Sequence, residues 1–376
     1  KRCGGCNLRH VKYEETLKMK QNAVQSLVNK TLKNKLQVRE TVGMENPLHY
    51  RNKAQYPIGI NKQGEPVIGV FANRTHEVIP IDNCLIQNKK SEEIAKFIIE
   101  FIKEKNISIY DEKTGKGLVR HIVTKVGIKT GEIMCVIVIN GHKIPNENEL
   151  VENLKTRYPE IKAIVKNINM KNTNVILGQE NINLYGNGYI EDILGEYKFK
   201  ISPLSFYQVN PVQAEKLYNL GVSMAEITKN DVVFDLYCGI GTISLFMSKF
   251  AKKVYGIEIV EEAVKMAKEN AQNNNVSNTE FFAGDVEIVL DDLINNKGLK
   301  ADVVMFDPPR KGLDKKSIDN ILNIRPKKIV YISCNPATLI RDLADFENEY
   351  DIKTIIPVDM FPFTSHVECV ATLQLK

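Results

Sequence analysis

From Ser202 to the C-terminus the chain repeats one unit, a short β-branched run followed by a segment of helical periodicity. The runs read "VVFDLY", "KVYGIEI", "TEFFAGD", "ADVVMFD", "KIVYISC" and a closing "ECVATLQL". Strands alternating with helices have to pair in parallel, because each crossover returns the chain to the same end of the sheet. The pattern therefore predicts an α/β domain over 201–376, a doubly wound Rossmann-like sheet with helices on both faces. Asp235, Glu258, Asp285 and Asp307 close the first four runs and Cys334 closes the fifth. In such a sheet these ends share one edge, where ligands bind.

The chain is long enough, at 376 residues, for more than one core. Upstream, Glu14 to Lys35 carries apolar Leu17, Val24, Leu27, Val28 and Leu32 on one side of a 3.6-residue period, which predicts an amphipathic helix. Residues 41–200 alternate with period two and carry Gly and Pro at turn positions, as in "GLVRHIVTKVGIKTGEIMCVIVING", and read as a strand-rich α+β domain with helix near 91–105 and 147–157. The division is then a basic cysteine segment and helix over 1–40, a central domain over 41–200 and the α/β domain over 201–376.

Composition excludes some classes. The longest apolar run, "IMCVIVI", is too short to span a bilayer and reads as a buried strand, so no membrane partner is expected. The chain opens on "KRCGGC" with neither Met nor a signal-peptide pattern, and the cytoplasm is the expected compartment. The seven cysteines are an odd set in a long chain, so each is core filler, ligand or nucleophile rather than half of a disulfide framework. Net charge is +5, but residues 1–40 hold ten Lys/Arg against three Glu. A basic arm on a near-neutral body suits phosphate-backbone attraction, and equally a solvated lysine-rich helix face.

"VVFDLYCGIGTISLF" places Gly239 and Gly241 at a switch from strand to helix, where a ligand approaches the backbone and the free amides of a helix start. The third glycine of a dinucleotide fingerprint would stand at Ser244, which disfavours a nicotinamide cofactor. Glu258, about twenty residues on, is placed to accept from a ribose diol. This half of the chain resembles the S-adenosylmethionine-dependent methyltransferases. On that resemblance Asp235 orders the glycine loop, Tyr237, Gly239 and Gly241 contact the methionine part, Glu258 takes the ribose and Asp285 lies near adenine.

"DPPR" at Asp307–Arg310 is similar to the signature of enzymes that methylate exocyclic amines, which need no thiol. Cys334 points instead to carbon 5 of a uracil, a weak nucleophile until a thiolate adds at carbon 6; a base must then remove the carbon 5 proton. Glu368, with His366 two residues before it, stands just ahead of the last strand. Together "SPLSFYQVNPVQAEKLY", "DLYCGIGTISL", "FDPPRKG", "ISCNPATLIRDL" and "TSHVECVATL" resemble the RNA uracil-5-methyltransferases over essentially the whole chain. The resemblance implies Cys334 as nucleophile, Glu368 as base, and Gln208, Tyr237, Glu258 and Asp307 at cofactor positions. Arg341 or a backbone amide is the expected aid to thiol ionisation. Cys135, Cys238 and Cys369 are read as core.

Cys3 and Cys6, with distant Cys84, are by spacing a zinc, iron–sulfur or redox set. The resemblance implies a [4Fe–4S] cluster on these three, its fourth ligand upstream of residue 1, and favours 23S ribosomal RNA over tRNA as substrate. The expected enzyme acts as a monomer. A uracil must be looped or flipped out to be reached, and Lys12, Lys18, Lys20, Arg51, Tyr50 and Tyr56 are candidates for phosphate contact and stacking. The alternatives are a tRNA uracil-5-methyltransferase, an amine methyltransferase using the DPPR loop, and an RNA-binding factor without catalysis.

Overall fold

The computed structural model describes residues 3–72 and 75–376. The chain divides into two compact units, 1–6 with 46–211, and 7–45 with 212–376.

The N-terminal helix α1 (Tyr13–Thr31) belongs to the second unit. The first unit is built on a seven-stranded sheet of β1 (Lys53–Ile60), β2 (Pro66–Phe71), β3 (Val78–Pro80), β4 (Val119–Val126), β5 (Ile133–Ile139), β6 (Ile161–Ile168) and β7 (Glu180–Tyr185), in the order β3-β2-β1-β4-β5-β6-β7. The run "IMCVIVI" is β5, buried along its whole length. Helices α2 (Lys89–Glu104) and α3 (Glu147–Arg157) lay Ile94, Ile98, Ile102, Leu150 and Leu154 on the sheet. Asn88 caps α2 by accepting from the Lys90 amide at 2.9 Å. A hairpin of β8 (Ile190–Leu194) and β9 (Tyr197–Ile201) follows.

In the second unit, α4 (Pro211–Ala225) leads into β10 (Val232–Leu236), α5 (Thr242–Ser248), β11 (Lys253–Glu258), α6 (Glu261–Asn273), β12 (Thr279–Ala283), α7 (Val286–Asp291), β13 (Val303–Phe306), α8 (Lys315–Ile324), β14 (Lys328–Ser333), α9 (Pro336–Phe346), β15 (Tyr350–Val358) and β16 (Glu368–Leu375). The sheet order is β12-β11-β10-β13-β14-β16-β15. The five strands from β12 to β14 are parallel, as the alternation required, while β16 runs antiparallel between β14 and β15. Chain order reverses between β10 and β13, which makes that gap the topological switch point. The α/β expectation is met.

Sequence periodicity missed β15, whose "YDIKTIIPV" carries Pro357. Proline cannot donate to a ladder, so it argues against a strand except at a sheet edge. β15 is that edge. The amphipathic helix ends at Thr31 and not at Lys35, because the next free amides, of Lys33 and Asn34, donate to the Glu347 carboxylate at 3.1 and 2.9 Å and turn the chain away.

Val24 and Val28 of α1, with Leu32 just past its end, are fully buried in the core of the α/β unit, where α1 packs against α9 and β15. Lys20, expected as a phosphate contact, is buried too. Its ammonium lies 2.5 Å from Asp359, with side-chain exposures of 2% and 0%, and also donates to the Phe361 carbonyl at 3.2 Å. Tyr13 donates to the other Asp359 oxygen at 2.8 Å. Tyr56, expected to stack on bases, is likewise fully buried in the first unit. Among the described residues no helix is long and apolar enough to cross a membrane. Removing one partner of a buried pair strands the other charge, so Lys20→Met is expected to lower stability by about 3–5 kcal/mol. Urea denaturation of the variant against the parent protein measures it; an unchanged midpoint would show the pair to be dispensable.

Candidate active site

β10 ends in a loop that only unusual backbone angles can form. Tyr237 (φ 66°), Gly239 (φ 55°) and Gly241 (φ 79°) all lie in the left-handed region. At Gly239 an added Cβ would meet open space, whereas at Gly241 it would lie 3.0 Å from Ala267 and Phe281. The first glycine keeps a cleft clear and the second lets α5 close against its neighbours. The loop is pinned by its amides. Cys238 N–H donates to the Ile257 carbonyl at 3.0 Å, and Gly239 N–H to Glu258 Oε2 at 3.1 Å. Glu258 Oε1 takes the Val260 amide at 2.9 Å. The carboxylate at the tip of β11 thus braces the glycine loop and keeps further lone pairs for a ligand. Beside it Ile259 is 63% exposed.

Asp235 does not stand at the strand tip but one residue inside, buried. Its Oδ2 accepts from the Ser244 hydroxyl, and Oδ1 has no hydrogen-bond partner among the described residues. Burial pushes its carboxyl up to about 7. Ser244 occupies the place of the missing third glycine, so the residue that spoiled a dinucleotide motif is the one that orients the loop aspartate. Asp285, exposed, caps α7 by accepting from the Glu287 amide at 2.9 Å. Gln208 belongs to the other compact unit, where its backbone carbonyl accepts from Asn52 at 3.1 Å.

Cys334 follows β14 directly and is partly buried. In the antiparallel ladder Ser333 pairs with Cys369, so the next pair outward is Cys334 and Glu368. Glu368 opens β16 and is only 4% exposed. Burial, then the charge of Asp307, pushes its carboxyl up to about 8, while Arg310 opposes the rise. Asp307, just past β13, is itself pushed up to about 7 by burial. The Cys334 thiol is held above its ordinary value by burial, Glu368 and Asp307, with Arg310 again opposing.

Arg310 is the cation that residue patterns did not single out. Its backbone carbonyl accepts from Asn335 Nδ2 at 3.0 Å and from Thr338 Oγ1 at 3.3 Å, which ties the DPPR loop to the start of α9 beside the thiol. Asn335 also caps that helix. Arg341, the expected aid, is occupied elsewhere: it pairs with Asp342 and donates to the carbonyls of Lys311 and Leu313 at 3.0 and 3.3 Å. His366 is not on a strand face with Glu368. It is exposed in the turn before β16, its ring 6.1 Å from that of Phe361.

Cys84 donates its amide to Glu92 at 2.8 Å, and Cys3 Sγ accepts the Gly5 amide at 3.4 Å, a local contact within the turn. Among the described residues no three metal-ligating side chains gather into a site. Cys135, Cys238 and Cys369 are buried, as read.

The family model of the tRNA (uracil-5-)-methyltransferases matches residues 12–376. The chain belongs to this family. An uncharacterized RNA methyltransferase of Clostridium acetobutylicum is 48% identical over 378 residues, covering 100% of this chain and 82% of the relative. One from Staphylococcus aureus is 45% identical, covering 100% and 83%. Among solved structures, the tRNA (uracil-54, C5)-methyltransferase of Pyrococcus abyssi, in complex with S-adenosyl-L-homocysteine, superposes with a TM-score of 0.80 at 28% identity, covering 99% of this chain and 86% of that one. This member is an S-adenosylmethionine-dependent RNA methyltransferase.

A carboxyl raised to about 8 is mostly neutral at pH 7 and cannot take a proton; it becomes a base only as pH climbs through that value. The Cys334 thiolate fraction rises in the same direction. Single-turnover release of methylated RNA is therefore expected to accelerate from pH 6 to 9. A rate that is flat or falls across that range would remove Glu368 and Cys334 from the rate-determining chemistry.

Proposed function

We propose that this enzyme methylates carbon 5 of a uridine through a covalent adduct on Cys334. The thiolate adds to carbon 6 of the ring, and the electron pair of the 5,6 double bond moves into an enolate whose carbon 5 is nucleophilic. Bound S-adenosylmethionine supplies an electrophilic methyl group. Once carbon 5 carries both methyl and hydrogen, Glu368 takes that proton, the double bond reforms and the carbon–sulfur bond breaks, returning the thiolate. The observation that carries this reading is the ladder pairing of Ser333 with Cys369, which makes nucleophile and base neighbours across two strands. Arg310, the cation whose charge opposes the rise of both groups, favours their ionised forms.

For the methyl donor, the open cleft at Gly239, the orphaned oxygen of Asp235 and the exposed Ile259 fit an adenosine with an amino-acid tail. Glu258 would accept from the ribose hydroxyls, Tyr237, Gly239 and Gly241 would contact the methionine part, Asp285 would lie near adenine, and Asp307 would stand at a further cofactor position. The favoured RNA is 23S ribosomal RNA, a reading supported by the spacing of Cys3, Cys6 and Cys84. A tRNA substrate is the second reading, supported by the Pyrococcus abyssi relative. The iron–sulfur cluster has sequence spacing as its support and enters no step; iron and sulfide analysis of protein purified without oxygen decides it.

Unmodified 23S ribosomal RNA and tRNA transcripts, each also made with 5-fluorouridine, test the reading. Fluorine cannot leave as a proton does, so the wild type is expected to stall as a denaturant-resistant protein–RNA complex on its true substrate, and Cys334→Ala to give none. Methyl transfer to unsubstituted RNA with no stalled complex would point to nitrogen as acceptor and the DPPR loop as the working part. Glu368→Gln is expected to transfer the methyl group but to release RNA roughly 10²- to 10⁴-fold more slowly, which quantifies the base on natural RNA.

A further inference from the structure

Glu368 is held at the end of a long connection. Residues 359–367 join β15 to β16, and the connection is buried at both ends, at Asp359 and Val367, with Ser365 and His366 exposed between them. Here it is gripped at three points by the start of the chain. At its first residue, Asp359 receives Lys20 at 2.5 Å and Tyr13 at 2.8 Å, while its own amide donates to Val42 at 2.9 Å. At its middle, Phe363 sits at φ 64°, a left-handed conformation that costs a bulky residue energy and persists only when its surroundings impose it. Those surroundings are Leu8, whose amide donates to the Phe363 carbonyl at 2.9 Å, the Arg9 guanidinium 5.0 Å above the ring, and Tyr13 with its ring 5.5 Å away.

The third point is nearest the base. Asn7 Nδ2 donates to Ser365 Oγ at 3.1 Å, and Ser365 N–H donates back to Asn7 Oδ1 at 3.0 Å. The two residues are 358 positions apart in sequence and both are exposed. A reciprocal pair on the surface adds little to global stability, but it fixes the backbone three residues before Glu368. Between them the His366 amide donates to Thr364 Oγ1 at 3.2 Å and Val367 is buried in the core.

Resting on the reading of Glu368 as the base, we infer that Asn7 to Lys20 form a clasp that aims this carboxylate, with Asn7 a positioning residue for proton removal from carbon 5. The clasp acts after methyl transfer. Formation of the Cys334 adduct does not use Glu368, so a loosened clasp slows resolution of the adduct and leaves its formation alone. Displacements of about an ångström at a general base are enough to cost one to two orders of magnitude.

The experiment follows both steps in Asn7→Ala under single turnover, with the 23S ribosomal RNA and tRNA transcripts in natural and 5-fluorouridine forms. On natural RNA the variant is expected to accumulate a denaturant-resistant complex that resolves roughly tenfold to a hundredfold more slowly than in the wild type. On 5-fluorouridine RNA the complex is expected to form at the wild-type rate. Asn7→Asp, which can still accept from the Ser365 amide and now from its hydroxyl, is expected to restore resolution. Wild-type resolution in Asn7→Ala overturns the clasp, as does equal slowing of formation and resolution, which would mark a general loss of structure or a contact with RNA. Absence of any stalled complex with the wild-type protein on either fluorinated RNA would instead overturn the adduct mechanism, and the clasp with it.

Discussion

The antiparallel pairing of β16 with β14 is the constraint on which the active site depends. In an all-parallel sheet every strand presents its last residue at the ligand edge, and the first residue of each strand lies at the far end. Reversing one strand brings its first residue to the same edge. Glu368 opens β16 and Cys334 follows β14, so one reversed strand unites residues contributed by opposite strand ends. The register matters as much as the direction. A slip of one residue would turn Glu368 to the other face and leave the thiol opposite a core side chain. Burial of Cys369, Ala371 and Leu373 in the core on that face opposes such a slip.

That edge collects charge in a way the rest of the fold has to contain. Asp235, Asp307 and Glu368 are carboxyls pushed up to about 7, 7 and 8, chiefly because burial disfavours their charged forms. Ser244 and Arg310 work against that pressure from different elements, one by hydrogen bonding and the other by charge. A site that holds raised acids beside a raised thiol is a poor stabilising device and a good reactive one. The stabilising work is done elsewhere, by the apolar core under the sheet and by α1, whose Lys20 seals a buried acid at the end of β15.

Much of this is legible in the sequence. The alternation after Ser202 specified a parallel sheet, and within it the acids and the thiol had to share an edge, because a parallel strand has one carboxyl end. Cys334 stood out since a strand that closes on a thiol and then on Asn-Pro has little reason to do so for packing. β15 was not legible, because Pro357 argues against a strand unless the strand is known to be an edge, and edge position is a property of the assembled sheet. Lys20 and Tyr56 are buried rather than free for RNA for a related reason: charge and aromaticity are local, whereas burial is conferred by whatever packs over the residue.

The amino-acid sequence by itself determined the alternation of strands and helices from β10 to β14, the glycine loop with its left-handed demands, and the inventory of reactive groups, because these depend on local periodicity and backbone sterics. Tertiary structure alone decided which groups meet. Arg310 reaches the thiol's surroundings because α9 holds its carbonyl through Asn335 and Thr338. Asn7 reaches Ser365, and Cys334 comes to face Glu368, across separations along the chain that no local pattern encodes. Pairing at that range is paid for by burial of the whole sheet, so it becomes visible only when the sheet has formed.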